Sequence, residues 1–321
     1  MKKLISVLLV AVMVMSMLVG CGGSSSDKKA DTADEGGSDG KYVIGYCNGA
    51  DSDVFMSARK EAFVEASKGN SNIEIRFADA NKDVQKQLAD ADAFISKKVD
   101  CLILVPNDAE AIVPAVEAAN AAGIPVICLG IKAASGDYIF VGSENYAAGQ
   151  MQGEYFAENL PKDAEILYLA GTAGMDHSRE RREGFVAALK DAGRDDVKIL
   201  ADLDGDYDMA KAMQITEDWI QKFPKFDGIC AANDQMALGA VEALKGANRL
   251  DGVMVTGIDG LKEAYEAIEN GEMVQTILQD APAQAAAAYG VVEKLTKDES
   301  ADKEVLVPFV SVTAENLADY K

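Results

Sequence analysis

From residue 41 onward, short apolar runs alternate with longer stretches whose apolar positions recur at helical spacing. Residues 42–47, 73–78, 101–105 and 125–129 read as strands, and 53–68, 82–98 and 109–122 as helices. The pattern resumes with strands at 165–170, 197–201, 226–231 and 253–257, each followed by a helical segment. Continuous apolar strands of about five residues, separated by helices, indicate parallel strands buried on both faces. The fold class expected is α/β, with doubly wound, Rossmann-like parallel sheets. Some 280 residues are too many for one comfortable core, so two domains are expected. There is a weak echo between the halves: Gly-Ile-Pro-Val-Ile at 123–127 resembles Asp-Gly-Val-Met-Val at 251–255.

The N-terminus breaks the pattern. Lys2 and Lys3 precede sixteen uncharged residues, Leu4 to Val19, which read as the basic and apolar regions of a secretory signal over residues 1–20. Leu18-Val19-Gly20-Cys21 resembles a lipobox, in which the cysteine is acylated and becomes the new N-terminus. A transmembrane anchor is the alternative for this run. From Gly22 to Gly40 the chain is Gly, Ser, Asp, Glu, Lys, Thr and Ala, with nothing large and apolar to bury. Residues 21–40 therefore read as a lipidated cysteine and a flexible tether with a reach of roughly 24 Å. The expected location is the outer face of a membrane, held through the lipid alone.

Composition narrows the function. Acidic residues outnumber basic ones 53 to 31, a formal charge of −22. That excludes the basic surface a nucleic-acid partner needs. One histidine and five scattered cysteines leave little for a zinc site, and no cofactor is expected. Cys47, Cys101, Cys128 and Cys230 fall in or at the end of expected buried strands and are expected to be free. The body holds no G-x-S-x-G, P-loop, G-x-G-x-x-G or H-E-x-x-H motif, so no enzyme is expected. The run Asp202–Asp208 fails as a calcium loop: its glycine is fourth, and Met213 stands where a bidentate Glu is needed.

In open α/β sheets ligands bind beyond the carboxyl ends of the strands. Those positions carry Asp53 and Phe55, His177 and Arg181, Tyr207, Asn233, Asp259 and Gln279, with Asn107, Asp234 and Asp280 nearby. Carboxylates and amides suit vicinal hydroxyls, and aromatic faces cover the C–H faces of a sugar ring. Each residue also has a plainer reading. Asp53, Asn107 and Asp234 could be helix caps, Phe55 and Tyr207 core, His177 structural, and Arg181 one solvated charge among Arg179–Glu183.

At these residues the chain resembles the type I periplasmic sugar-binding proteins of ABC transporters, especially the ribose- and galactose/glucose-binding proteins. The segments that carry it are Asp53-Val-Phe-Met-Ser57, Gly123 to Ile127, Val141-Gly-Ser143 through Gly149, Arg179 to Phe185, Ala232 to Leu244, Gly257-Ile-Asp259 and Thr276 to Asp280. The resemblance implies two lobes joined by a three-strand hinge. The N-terminal lobe would take residues 41–143 and 280–306, the C-terminal lobe 144–279 and 307–321, with crossings near 141–144, 278–280 and 307–309. It implies that Asp53 binds hydroxyls and Phe55 stacks on the ring. Arg181 would bind ring or hydroxyl oxygens, Tyr207 would oppose Phe55, and His177, Asn233, Asp259 and Gln279 would complete the site.

Three positions depart from the relatives: Val105 stands where an Asn is common, and Gly130-Ile131 replaces Asp-Arg or Asn-Lys. The first-lobe wall is therefore expected to be less polar than in those relatives. The partners implied are a sugar or polyol-like ligand and an ABC permease, with the chain acting as a monomer. A sensor for chemotaxis or quorum sensing with the same fold is the alternative. LacI-type repressors share such a body, but their basic helix-turn-helix is replaced here by the signal, cysteine and acidic tether.

Overall fold

The computed structural model describes residues 40–321; the signal, Cys21 and all but the last residue of the tether lie outside them. Among these residues there are twelve strands and nine α-helices in two six-stranded sheets. The first sheet holds β1 (Tyr42–Asn48), β2 (Ile73–Asp79), β3 (Cys101–Leu104), β4 (Val126–Leu129), β5 (Ile139–Gly142) and, far along the chain, β11 (Glu304–Leu306). Its order is β2-β1-β3-β4-β5-β11, all parallel. The second holds β6 (Glu165–Ala170), β7 (Lys198–Asp204), β8 (Gly228–Ala231), β9 (Met254–Asp259), β10 (Gln275–Leu278) and β12 (Val310–Thr313). Its order, β7-β6-β8-β9-β10-β12, repeats the first, except that β12 runs antiparallel to β10. The echo between the halves is thus a repeat of strand order.

Strand residues alternate between the faces, and both faces are covered, which is why the strands are apolar throughout. In the first lobe Cys47, Leu102, Leu104 and Cys128 pack under α2 (Val84–Ser96) and α3 (Val113–Ala121). Ile44, Tyr46, Ile103 and Ile127 pack on the other face, under α1 (Val54–Ser67) and α9 (Ala281–Leu295). In the second lobe Leu167, Leu169 and Ile229 face α6 (Met209–Lys222), α7 (Asp234–Gly246) and α8 (Lys262–Glu269). Ile166, Tyr168 and Cys230 face α4 (Asn145–Asn159) and α5 (Asp176–Asp191). All four described cysteines are free and buried, and burial pushes the Cys101 and Cys128 thiols up to about 12.

The chain passes between the sheets three times: between β5 and α4, between β10 and α9, and between β11 and β12. Helix α9 therefore follows a strand of the second sheet but packs on α1 of the first lobe, where Asn70 Nδ2 donates to the Tyr289 hydroxyl at 3.0 Å.

Some expected boundaries move for local reasons. Helix α2 begins at Val84 rather than residue 82, because Asn81 and Lys82 take left-handed backbone and Asp83 caps the helix. Helix α3 begins at Val113 rather than residue 109. The Asp108 carboxylate accepts from the Ala111 amide at 2.7 Å, making a turn first, and Pro114 sits in the opening turn of the helix.

Candidate functional site

In both sheets the strand order reverses beside the first strand, between β1 and β3 and between β6 and β8. A crevice opens at such a switch point. The two crevices contribute to one cavity of about 300 Å³, lined from both lobes. Asp53, Phe55, His177, Arg181, Tyr207, Asn233, Asp259 and Gln279 all line it.

On the first-lobe side Asp53 caps α1: one carboxylate oxygen accepts from the Met56 amide at 2.9 Å. Capping and facing the cavity are compatible, because the second oxygen remains free. Phe55 opens the buried face of the same helix. Asn107 is no cap; its side chain donates to the Gly49 carbonyl at 3.1 Å, and the residue lines the cavity.

The second lobe contributes half of the lining residues and six of the eight candidates. Helix α5 carries His177 and Arg181, four residues apart and so on one face. Arg181 is 4% exposed. Its Nε donates to Asn145 Oδ1 at 3.0 Å, Nη1 to the Ala232 carbonyl at 2.6 Å and Nη2 to Gln279 Oε1 at 3.1 Å. Asn145 sits just beyond the first inter-lobe crossing and Gln279 within the second. Arg181 is thus neither a solvated helix-face charge nor a residue waiting in open water: it braces the crossings. Three of its five N–H groups are used, leaving two.

Tyr207 stacks on His177, with ring centres 5.2 Å apart and planes at 15°. Asp206 and Tyr207 both hold left-handed backbone, φ 53° and 55°. This turn, closed by the Asp208 cap on α6, is what swings the tyrosine ring over the cavity. His177 Nδ1 is buried without a hydrogen-bond partner, and the buried Tyr207 hydroxyl lies beside Ser178 without a well-formed bond. Unpaired buried polar atoms are costly, so these two suit a bound molecule that supplies the missing partner.

Asn233 caps α7, accepting from the Met236 amide at 3.0 Å. Asp234, also considered as a cap, is instead fully buried behind the site. It accepts from the Gly260 and Leu261 amides, each at 2.9 Å, and from the Thr276 hydroxyl at 2.7 Å. These bonds hold the turn in which Asp259 adopts φ 140° and presents its side chain to the cavity. Burial, then the charge of Asp234, pushes the Asp259 carboxyl well above its usual range. With three donors on it, Asp234 is the member of the pair that keeps its charge.

Burial, then the Arg181 and Arg59 charges, pulls the His177 imidazole down to about 3. An unfolded histidine titrates near 6.5. Between these values the unfolded chain binds a proton that the folded one refuses. Stability from this group is therefore full above pH 6.5 and shrinks as pH falls, by about 2 kcal/mol at pH 5. Asp234 and Asp259, both raised, act in the opposite sense and gain stability as pH falls. In urea melts at pH 7.5 and 5, His177→Gln should lose about 2 kcal/mol less than the parent over that interval. Equal losses would mean that His177 is hydrated and titrates normally.

Several strand-end residues lie outside the cavity wall. The Asn48 side chain donates to Asp51 at 2.6 Å, Asp51 pairs with Lys60, and Asp280 caps α9. Val105 is fully buried, with its carbonyl accepting from Gln87 Nε2 at 2.7 Å. Polar lining residues that the sequence reading missed include Arg59 and Asn145, with Lys82 and Thr172. Arg59 is 2% exposed, and its guanidinium lies 5.4 Å from the Phe55 ring centre. The wall at Gly130 and Ile131 is therefore not simply less polar: an arginine from α1 stands there. The signal was an arginine midway in the i, i+4, i+8 stripe Phe55, Arg59, Phe63, a charge where the helix faces its core.

Residues 44–300 match the model of the periplasmic binding protein domain family. The xylitol-binding protein of Mycolicibacterium smegmatis is 31% identical over 269 residues, covering 83% of this chain and 76% of its own. The ribose import binding protein of Bacillus subtilis is 31% identical over 283 residues, covering 87% and 88%. Among solved structures, an ABC transporter solute binding protein from Bacillus halodurans with bound myo-inositol superposes with a TM-score of 0.83 at 30% identity, covering 89% of this chain and 99% of that one. Two doubly wound lobes around a shared cleft define a class of receptor that encloses its ligand. The chain belongs to the periplasmic binding protein family, in its type I sugar-binding branch, whose members are binding proteins rather than enzymes. The family is extracytoplasmic, and no helix among the described residues is long and apolar enough to cross a membrane.

Proposed function

We propose that this chain is a lipid-anchored extracytoplasmic receptor that captures a sugar or polyol between its lobes and delivers it, as a monomer, to an ABC permease. The observation that carries this reading is the convergence of the eight cleft residues, from the ends of six strands, on one cavity of about 300 Å³. Aromatic faces on both sides, Phe55 and the Tyr207–His177 stack, are set for a ring's C–H faces. Amides, carboxyls and two guanidiniums between them are set for its hydroxyls. The named ligands of the relatives, xylitol, ribose and myo-inositol, are small polyhydroxy compounds of this kind. A ligand contacting both lobes favours the closed arrangement because it binds that state better, and the three crossings permit a bend without free rotation.

The test is a melting-shift screen of the mature chain against D-ribose, D-allose, xylitol and myo-inositol. A ligand at 100 times its Kd adds about 2.7 kcal/mol, which a melting curve resolves easily. No shift with any polyhydroxy compound would refute the reading. For the anchor, Cys21→Ser should move the processed protein from the membrane to the soluble fraction, since the tether offers no other large apolar group. Retention on the membrane after signal removal would refute the lipid anchor.

A further inference from the structure

We propose that Arg59 is a ligand-binding and specificity-determining residue of the first lobe, and that Gly130 is the vacancy that admits it. This deepens the sugar-receptor reading and rests on it. A side chain at position 130 is incompatible with the arginine as it stands: a Cβ built on Gly130 would overlap Arg59 Nη1. The backbone there, with φ 82°, is also one that side-chain-bearing residues rarely adopt. The first-lobe wall therefore has a guanidinium delivered from a helix rather than a side chain from the end of β4.

The surroundings of Arg59 are those of a group awaiting a partner. Its Nη1 donates to Gln284 Oε1 at 3.0 Å, its buried Nε has the Tyr46 hydroxyl close by but no well-formed bond, and Nη2, at the cavity, makes no hydrogen bond. No carboxylate forms an ion pair with it among the described residues. A buried guanidinium with one hydrogen bond is under-satisfied; its flat fork can take an oxygen at the cavity side. Arg181 offers its two spare N–H groups from the opposing lobe. A guanidinium donates and never accepts, so the ligand must turn acceptor oxygens toward both walls. Asp53 and Asp259 lie near enough to act on the Arg59 charge, so an anionic ligand is not required and would be repelled by those carboxyls where they are ionised. The ligand class is a neutral polyhydroxy compound whose ring or hydroxyl oxygens bridge Arg59 and Arg181.

Methionine fills most of the arginine's volume without its charge or donors. For Arg59→Met we expect the ligand-free melting temperature to fall by no more than about 3 °C, because one hydrogen bond, to Gln284, is lost and no ion pair is broken. Affinity for whichever of D-ribose, D-allose, xylitol or myo-inositol the parent binds should fall at least about 30-fold by calorimetry. Arg59→Lys, which keeps the charge but loses the fork, should fall between the two. D-galacturonate tests the charge: preference for it over neutral sugars would overturn the assignment of class. Unchanged affinity in Arg59→Met, or a ligand-free melting temperature lower by about 8 °C or more, would make Arg59 a scaffold residue and overturn the proposal. If the parent responds to none of these compounds the sugar reading fails on its own. The ligand-free melting comparison then decides Arg59 alone, with retained stability supporting a cleft-facing group and lost stability overturning it.

Discussion

Gly149→Val should cost the second lobe at least about 4 kcal/mol and leave little cooperatively folded protein. Helices α4 and α5 meet almost backbone to backbone. A Cβ at Gly149 would overlap the Arg181 carbonyl oxygen, and one at Gly184 would overlap the Tyr146 carbonyl oxygen. One at Gly153 would come within 2.5 Å of the Phe185 carbonyl oxygen. Main-chain atoms cannot rotate away, so the helices would have to separate. Separation would loosen the edge-on pair Phe156 and Phe185, whose centres are 5.4 Å apart, and would shift Arg181 on the same turn. The sign makes the test sharp. On helix propensity alone, replacing a mid-helix glycine by alanine stabilises by about 1 kcal/mol. Gly290→Ala on α9, where a Cβ meets nothing, should show that gain, while even Gly149→Ala should lose stability. Urea denaturation of the three variants checks this; a stabilised Gly149→Ala would show that the two helices pack further apart.

Arg181→Ala should weaken binding by about 2–4 kcal/mol, a factor of roughly 30 to 1,000, for whichever polyhydroxy compound the parent binds. Two contributions add. The ligand loses two charged donors, and Gln279 and Asn145 lose the partner that orients them at the crossings. The braced geometry also means that the ligand-free protein should lose about 1–2 kcal/mol, because the Ala232 carbonyl and two side-chain oxygens exchange a charged donor for water. Calorimetry paired with melting separates the two effects. Parent-like affinity would place the ligand away from α5.

Much of this architecture was legible in the sequence because parallel strands covered on both faces must be apolar at every position. Residues 101–104 and 126–129 could hardly be anything else. The convergence of Asp53, His177, Tyr207 and Asp259 followed from a rule about strand ends, applied to two lobes at once. Other features lacked a local signal. Strands β11 and β12 are three and four residues long and share one apolar run, Val305–Val312, broken only by Pro308 and Ser311, so nothing local shows that the run splits between two sheets. Arg59 was missed because a charged residue in a helix is normally solvated; only the space left at Gly130, seventy-one positions away, turns it toward the cleft. Asp234 looked like a cap because it follows a strand, yet its neighbour Asn233 takes that role and frees Asp234 to hold the Asp259 turn. Choices between adjacent polar residues depend on long-range partners, which spacing along the chain does not encode.

The three passages between the sheets also set an order of completion for a chain made from its N-terminus. Strands β1 to β5 emerge first, but the face under α1 stays open until α9 arrives, and β5 stays an uncovered edge until β11 pairs with it. By then β6 to β10 of the second lobe have all been delivered. The half of the molecule that begins first is therefore among the last to close. Until then it exposes Ile44, Tyr46 and Phe63, the kind of surface that invites aggregation. A nascent chain truncated before residue 281 would keep most of a second lobe and an unfinished first one. The vulnerable species during synthesis is thus one that lacks only residues 281–321, and that segment acts as the clasp of the first lobe.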